Sequence, residues 1–126
     1  MALCLVAAGT ASATCNGVMA WGSNADGELG IGSLVRKNAP VTLHEPPAPV
    51  SEPANCVSAA SAGGSFSLAL ATTGTVESWG DNTYGELGDG TTGGLSKTPA
   101  EVVKLKNATA VAAGGRHGLA LEGGHV

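Results

Sequence analysis

The feature that most constrains this chain is an internal repeat. The segment WGSNADGELGIG, Trp21 to Gly32, recurs as WGDNTYGELGDG, Trp79 to Gly90, 58 residues further on, with eight of twelve positions identical. The shared pattern is W-G-x-N-x-x-G-E-L-G-x-G. Its motif residues are Trp21, Gly22, Asn24, Gly27, Leu29 and Gly30 in the first copy, and Trp79, Gly80, Asn82, Gly85, Leu87 and Gly88 in the second. A second unit, AGGSFSLAL from Ala62 to Leu70, returns as AGGRHGLAL from Ala113 to Leu121 at a spacing of 51, and Val6 to Gly9 is a weaker relative of Val111 to Gly114. Two units that alternate along the chain at periods near fifty residues describe one supersecondary module used repeatedly. The spacings differ because the spacers differ: four prolines within Pro46 to Pro53 make 44–53 an extended surface loop that has no counterpart in the second copy.

The local signals are those of short strands and tight turns. Val18 to Trp21, Ser67 to Leu70, Thr75 to Trp79 and Gly118 to Leu121 are β-prone runs bounded by glycine. Cys56 to Ala62 and Ala108 to Ala113 are read as strands because glycine ends each quickly, and no stretch sustains a 3.6-residue apolar period. Asn24 and Asn82 are expected to bond their own backbone two residues on and so fix a turn. Leu29 and Leu87 are expected to fill a core between neighbouring sheets, and Trp21 and Trp79 to cover apolar area at a strand end with an acceptor for each indole N–H. Asp26, Glu28, Glu86 and Asp89 read as solvated turn residues. With aromatics at 3% and 20 glycines, each module buries little area and depends on its neighbours.

Reaction chemistry finds no foothold, and no catalytic, cofactor-binding or metal residue is expected. Gly88 to Gly93 satisfies G-x-G-x-x-G but lacks the following helix that a dinucleotide site needs. A calcium loop at Asp81 to Glu86 fails because Thr83 and Gly85 stand where acids are required. The three cysteines, Cys4, Cys15 and Cys56, and the scattered His44, His117 and His125 offer no zinc spacing. An odd cysteine count argues against a disulfide framework, so the thiols are expected to be buried or idle. Net charge of −4 with six basic residues argues against nucleic acid, and no apolar run is long enough to span a membrane as a helix. Lys97, Lys104 and Lys106 read as a solvated edge. Residues 1–13 resemble a short leader without the positive start of one, and are read as structure. His117 is expected to hydrogen-bond a neighbouring strand.

The W-G-x-N-x-x-G-E-L-G-x-G run, the following Pro40 and Pro99, and the A-G-G-x-x-x-L-A-L segment together resemble the repeat of the regulator of chromosome condensation family. His117 matches the family's closing segment, whereas Phe66 and Gly118 depart from it. The resemblance implies an all-β fold: a partial β-propeller of about two four-stranded antiparallel blades with Gly-rich turns. The implied organisation is 1–16 as the tail of a preceding repeat, 17–70 and 74–121 as two repeats, and 122–126 as the start of a truncated one, in a piece of a longer protein. It also implies a non-enzymatic scaffold, cytoplasmic or nuclear, that presents face loops to a partner protein. Tyr84, Arg116, Glu45 and Glu52 are the candidate contacts, and open blade edges invite self-association. One alternative is a guanine-nucleotide exchange regulator of a small GTPase, since the family includes one; another is a secreted binding module. No exchange-factor residue is carried onto this chain, because fold alone does not fix function.

Overall fold

The computed structural model describes residues 3–6, 18–42 and 56–123. Nine strands lie in these residues: β1 (Leu3–Val6), β2 (Val18–Gly22), β3 (Lys37–Thr42), β4 (Val57–Ala62), β5 (Phe66–Ala71), β6 (Val76–Asp81), β7 (Leu95–Glu101), β8 (Ala108–Ala113) and β9 (Gly118–Glu122). They form three antiparallel sheets, ordered β1-β2-β3, β4-β5-β6-β7 and β8-β9, and no helix occurs among the described residues. Among the described residues only the central sheet has four strands. It is flanked by sheets of three and two. The sheets are also out of phase with the sequence repeats. The A-G-G-x-x-x-L-A-L unit supplies the inner strands of one sheet, and the W-G unit that follows supplies its outer strands.

The pairing register explains why the motif contains W-G followed by a proline. Ser78 pairs with Ala100 but Gly80 pairs with Ser96, so Lys97, Thr98 and Pro99 stand opposite Trp79 alone. The same slip occurs in the first sheet, where Ala20 pairs with Val41 and Gly22 with Lys37, leaving Asn38, Ala39 and Pro40 opposite Trp21. A bulge breaks the ladder and re-aims side chains, and it lies on the outermost strand, where a proline costs no ladder bond. Strands β3 and β7 were not among the strands read from the sequence, because their Pro, Lys and Asn content hides the period-2 signal. Gly80 has φ of +106°, and an added Cβ would lie 2.7 Å from Phe66 Cα, so this bulge position admits only glycine.

A second bulge recurs in the inner pairs. Val57 and Ala59 face Ala71 and Leu70, with Ser58 looped out, and its hydroxyl donates to the Leu70 carbonyl at 3.2 Å. Thr109 does the same to the Leu121 carbonyl at 3.2 Å. Strand β1 holds the place in the first sheet that β5 holds in the second: Leu3 opposes Trp21 as Ser67 opposes Trp79, and Val6 opposes Val18 as Leu70 opposes Val76.

The core lies between the sheets. Val18 from the first sheet packs with Val57, Ala69 and Trp79 of the second, while Phe66, Leu68, Leu70, Val76 and Leu87 pack with Ala108 of the third. Leu87 thus fills an inter-sheet core, whereas Leu29 packs with Ala20 of its own sheet and with Ile31. The sheets also approach through backbone alone. A Cβ on Gly64 would lie 2.6 Å from the Gly115 carbonyl oxygen, so the two Gly-Gly hairpins stack at a distance that only glycine permits. Cys56 is disulfide-bonded, which corrects the reading of its thiol as idle. The loop 44–53, Cys15, His125 and residues 7–13 lie outside the described residues.

Replacing Gly64 with alanine is expected to force the hairpins apart and cost about 1–3 kcal/mol in urea unfolding. Gly115→Ala is the matched control. A Cβ there meets nothing within 4 Å, and stability should change little.

Candidate functional site

The G-E-L-G turns are the most elaborately bonded part of the chain. Asn24 Nδ2 donates to the carbonyls of Ser33 at 2.7 Å and Val35 at 3.0 Å, while its Oδ1 accepts from the Leu29 amide at 3.0 Å. Asn82 repeats the plan: Oδ1 accepts from the Leu87 amide at 3.1 Å, and Nδ2 donates to Thr91 Oγ1 at 3.0 Å. These side chains do not close an Asx-turn two residues on, as the sequence suggests. Both are buried, and each reaches five residues ahead to the turn and nine or more to the loop beyond it, holding the two together. Glu28 and Glu86 are buried rather than solvated. Each carboxylate turns back to accept a backbone N–H two residues earlier, from Asp26 at 2.9 Å and from Tyr84 at 2.8 Å. A carboxylate bonded to backbone N–H groups tolerates burial that an unpaired one does not.

The first of these turns is gripped by the next sheet. The Glu28 carbonyl oxygen accepts from the Trp79 indole N–H at 2.7 Å and from the Ser67 hydroxyl at 3.0 Å. Beside it, the Gly32 amide donates to the Lys97 carbonyl at 2.8 Å. Trp79 is fully buried in this junction, a burial worth about 3 kcal/mol. Sequence reading foresaw an acceptor for the indole but not which one. The signal was there in the unchanged G-E-L, since a turn that offers its carbonyl to a neighbour must keep its backbone path.

The second turn carries an exposed pair. Tyr84 is 62% exposed at the tip, and the Arg116 guanidinium, from the hairpin joining β8 to β9, stands over its ring with Cζ 4.9 Å from the centroid. That distance lies within cation–π range. Two of the four candidate contacts are therefore brought together from different sheets. Glu45 and Glu52 lie outside the described residues. His117 makes no side-chain hydrogen bond among the described residues, contrary to the expected strand contact. Its exposed ring lies over Gly114, as the buried Phe66 ring lies over Gly63. Lys97, Lys104 and Lys106 are all exposed. Among the described residues no group of three or more His, Cys, Asp or Glu could hold a metal ion, and no helix is long and apolar enough to cross a membrane.

Asp89 joins the Asn82 network through Thr91, whose hydroxyl donates to it at 2.6 Å and whose amide donates at 2.9 Å. Those bonds, the hydroxyl first, hold the Asp89 carboxyl below its ordinary value. The stabilisation is therefore present above the ordinary carboxylate range and is lost as pH falls through the lowered pKa. Thr91→Ala should return the Asp89 titration, followed by NMR, towards the ordinary value. Asn82→Ala leaves the buried Leu87 amide unpaired and should cost about 1–3 kcal/mol in denaturant unfolding.

The same architecture recurs in solved structures. The chain is similar to human WBSCR16, with a TM-score of 0.71 and 24% identity over 85% of this chain and 26% of that one. It is similar to yeast RCC1 (Prp20), solved bound to Kap60, with a TM-score of 0.64 and 25% identity over 85% of this chain and 26% of that one. It is also similar to Prp20p from Saccharomyces cerevisiae, described with its binding properties to Gsp1p and histones, with a TM-score of 0.69 and 24% identity over 86% of this chain and 27% of that one. The chain thus spans about a quarter of each structure it matches, and its sheets are blades of a β-propeller of this kind. The family model for the regulator of chromosome condensation (RCC1) repeat matches residues 16–70 and 73–121, and a second RCC1 repeat model matches 57–86. By those matches, which cover most of its length, the chain belongs to the RCC1 repeat family.

Proposed function

We propose that this chain is a non-enzymatic scaffold segment that binds a partner protein through the turn face carrying Tyr84 and Arg116. The observation that carries this reading is the exposed cation–π pair itself. The only tyrosine of the chain and one of its few arginines stand 4.9 Å apart on a rigid turn, although they lie 32 residues apart in sequence. Aromatic and arginine side chains dominate binding hot spots, and a pair already stacked loses less side-chain freedom on binding than two free side chains do. The Asn82 and Glu86 bonds beneath it fix the turn before any partner arrives.

The binding properties of Prp20p to Gsp1p and histones support a protein partner and supply two probes. Titration of Gsp1p and of histones against the chain, followed by calorimetry, should show binding of at least one of them. The Tyr84→Ala/Arg116→Ala double variant should weaken that binding about tenfold or more. Binding by neither protein, or binding untouched by the double substitution, overturns the reading. Release of labelled guanine nucleotide from Gsp1p should not accelerate; acceleration would favour an exchange regulator instead.

A further inference from the structure

Asn107-Ala108-Thr109 is the only N-x-S/T triplet of the chain. That triplet is the acceptor pattern for an oligosaccharide where it lies on the surface of a secreted protein. Asn107 is exposed in the bend that leads into β8, and its side-chain amide makes no hydrogen bond among the described residues. Its backbone, by contrast, is anchored. The Asn107 carbonyl accepts from the Gly123 amide at 3.0 Å, the Ala108 amide donates to the Gly74 carbonyl at 3.0 Å, and a Cβ on Gly74 would lie 2.7 Å from Asn107 Cα. A substituent on the Asn107 amide therefore displaces no hydrogen bond among the described residues, and it grows from a fixed point.

The exposure is a property of the strand position. By register, Val57 opposite Ala71 corresponds to Ala108 opposite Glu122, so Cys56-Val57-Ser58 is the counterpart of Asn107-Ala108-Thr109. The central sheet has a sheet on either side of it, and Ser58 is exposed there as Thr109 is. Nor does the sheet require an asparagine. Cys56 gives its carbonyl to the Thr72 amide at 2.7 Å, the counterpart of the Asn107–Gly123 bond, without the positive φ of +56° that Asn107 has. Cys56 is disulfide-bonded. Disulfides form and persist in secreted and luminal proteins and are rare where cellular reductants keep thiols reduced. Two copies of one position thus carry, separately, an oxidised cysteine and an oligosaccharide acceptor, and both belong to the same compartment.

We propose that Asn107 carries an N-linked oligosaccharide. Asn107 Nδ2 forms a bond to the anomeric carbon of a lipid-linked oligosaccharide. The bond from that carbon to the lipid diphosphate breaks, the diphosphate leaves with its electron pair, and the amide gives up one proton; nothing is oxidised or reduced. Thr109 supplies the hydroxyl of the acceptor pattern. In the folded chain that hydroxyl donates to the Leu121 carbonyl at 3.2 Å, so transfer precedes the pairing of β8 with β9. The site goes beyond the partner reading and does not rest on it. Asn107 opens β8 and Arg116 lies past its other end, about 20 Å away at the rise of a strand, so the glycan and the Tyr84–Arg116 pair occupy opposite ends of the β8-β9 sheet.

Mass spectrometry of the protein isolated from its own cells tests this. Trypsin cuts after Lys106 and Arg116 and releases 107–116 as one peptide. The bare peptide should be absent or strongly depleted, and peptide N-glycosidase in heavy-oxygen water should restore it with one heavy oxygen at the Asn107 side chain. Secretion of the chain from cultured animal cells behind a cleavable leader gives a second measurement. The secreted chain should show one glycosidase-sensitive band shift, which Asn107→Gln and Thr109→Ala abolish and Thr109→Ser retains, and Cys56 should resist alkylation until a reductant is added. A bare 107–116 peptide as the main form in the native protein, a secreted chain without the shift, a shift that survives Asn107→Gln, or a glycosylated chain whose Cys56 alkylates without reductant would each overturn the inference.

Discussion

One backbone oxygen organises the described structure. The Glu28 carbonyl accepts from an indole and a hydroxyl of the neighbouring sheet, and both bonds lie in a site closed to water. A buried indole N–H needs an acceptor at a fixed place, so the turn presenting that carbonyl must be rigid. That requirement accounts for the surrounding detail. Asn24 holds the turn to the loop beyond it, Glu28 folds its carboxylate back onto the Asp26 amide, and Leu29 seats the turn in the core. In a chain this poor in aromatic residues, the first two sheets are held by a few such fixed polar contacts and by one large side chain, Trp79, packed with Val18, Val57 and Ala69.

The second and third sheets meet through the apolar cluster around Phe66, Leu68 and Leu70 and, beside it, through a contact that is nearly side-chain free. Gly63 and Gly64 stack on Gly114 and Gly115, and the ring at the end of each hairpin, Phe66 or His117, covers the glycine before it. The same geometry carries a buried apolar ring inside the array and an exposed imidazole at its rim. The departure of Phe66 from the family pattern therefore follows its burial: a phenyl ring has no polar atom to satisfy there, and an imidazole does.

Much of the fold was legible in the sequence because the repeat exposes it twice. The W-G dipeptide, the G-E-L-G turn and the A-G-G hairpin each keep their residues where backbone geometry leaves no choice, as at Gly80. What was hidden follows from physics that a linear pattern does not display. The asparagines and glutamates of the turns look like solvated polar residues until their partners, five to eleven positions away or two residues back, are known. Strands β3 and β7 are bulged edges containing proline, so they lack alternation. The phase of the sheets was also hidden, since repetition sets a period and not a starting point. At the exposed turn, the sequence singled out Tyr84 and Arg116 as separate residues, and only the packing of one hairpin beside the next turn makes them a pair.

That phase has a mechanical consequence. The joint between the two sequence units falls at Ala71 to Thr75, inside the central sheet, where β5 and β6 are held by a ladder from Phe66–Gly80 to Leu70–Val76. A nick in that turn would sever the polypeptide but leave its two pieces laced through the ladder and through the Trp79–Glu28 bond. Each unit is thus a clasp that spans two sheets.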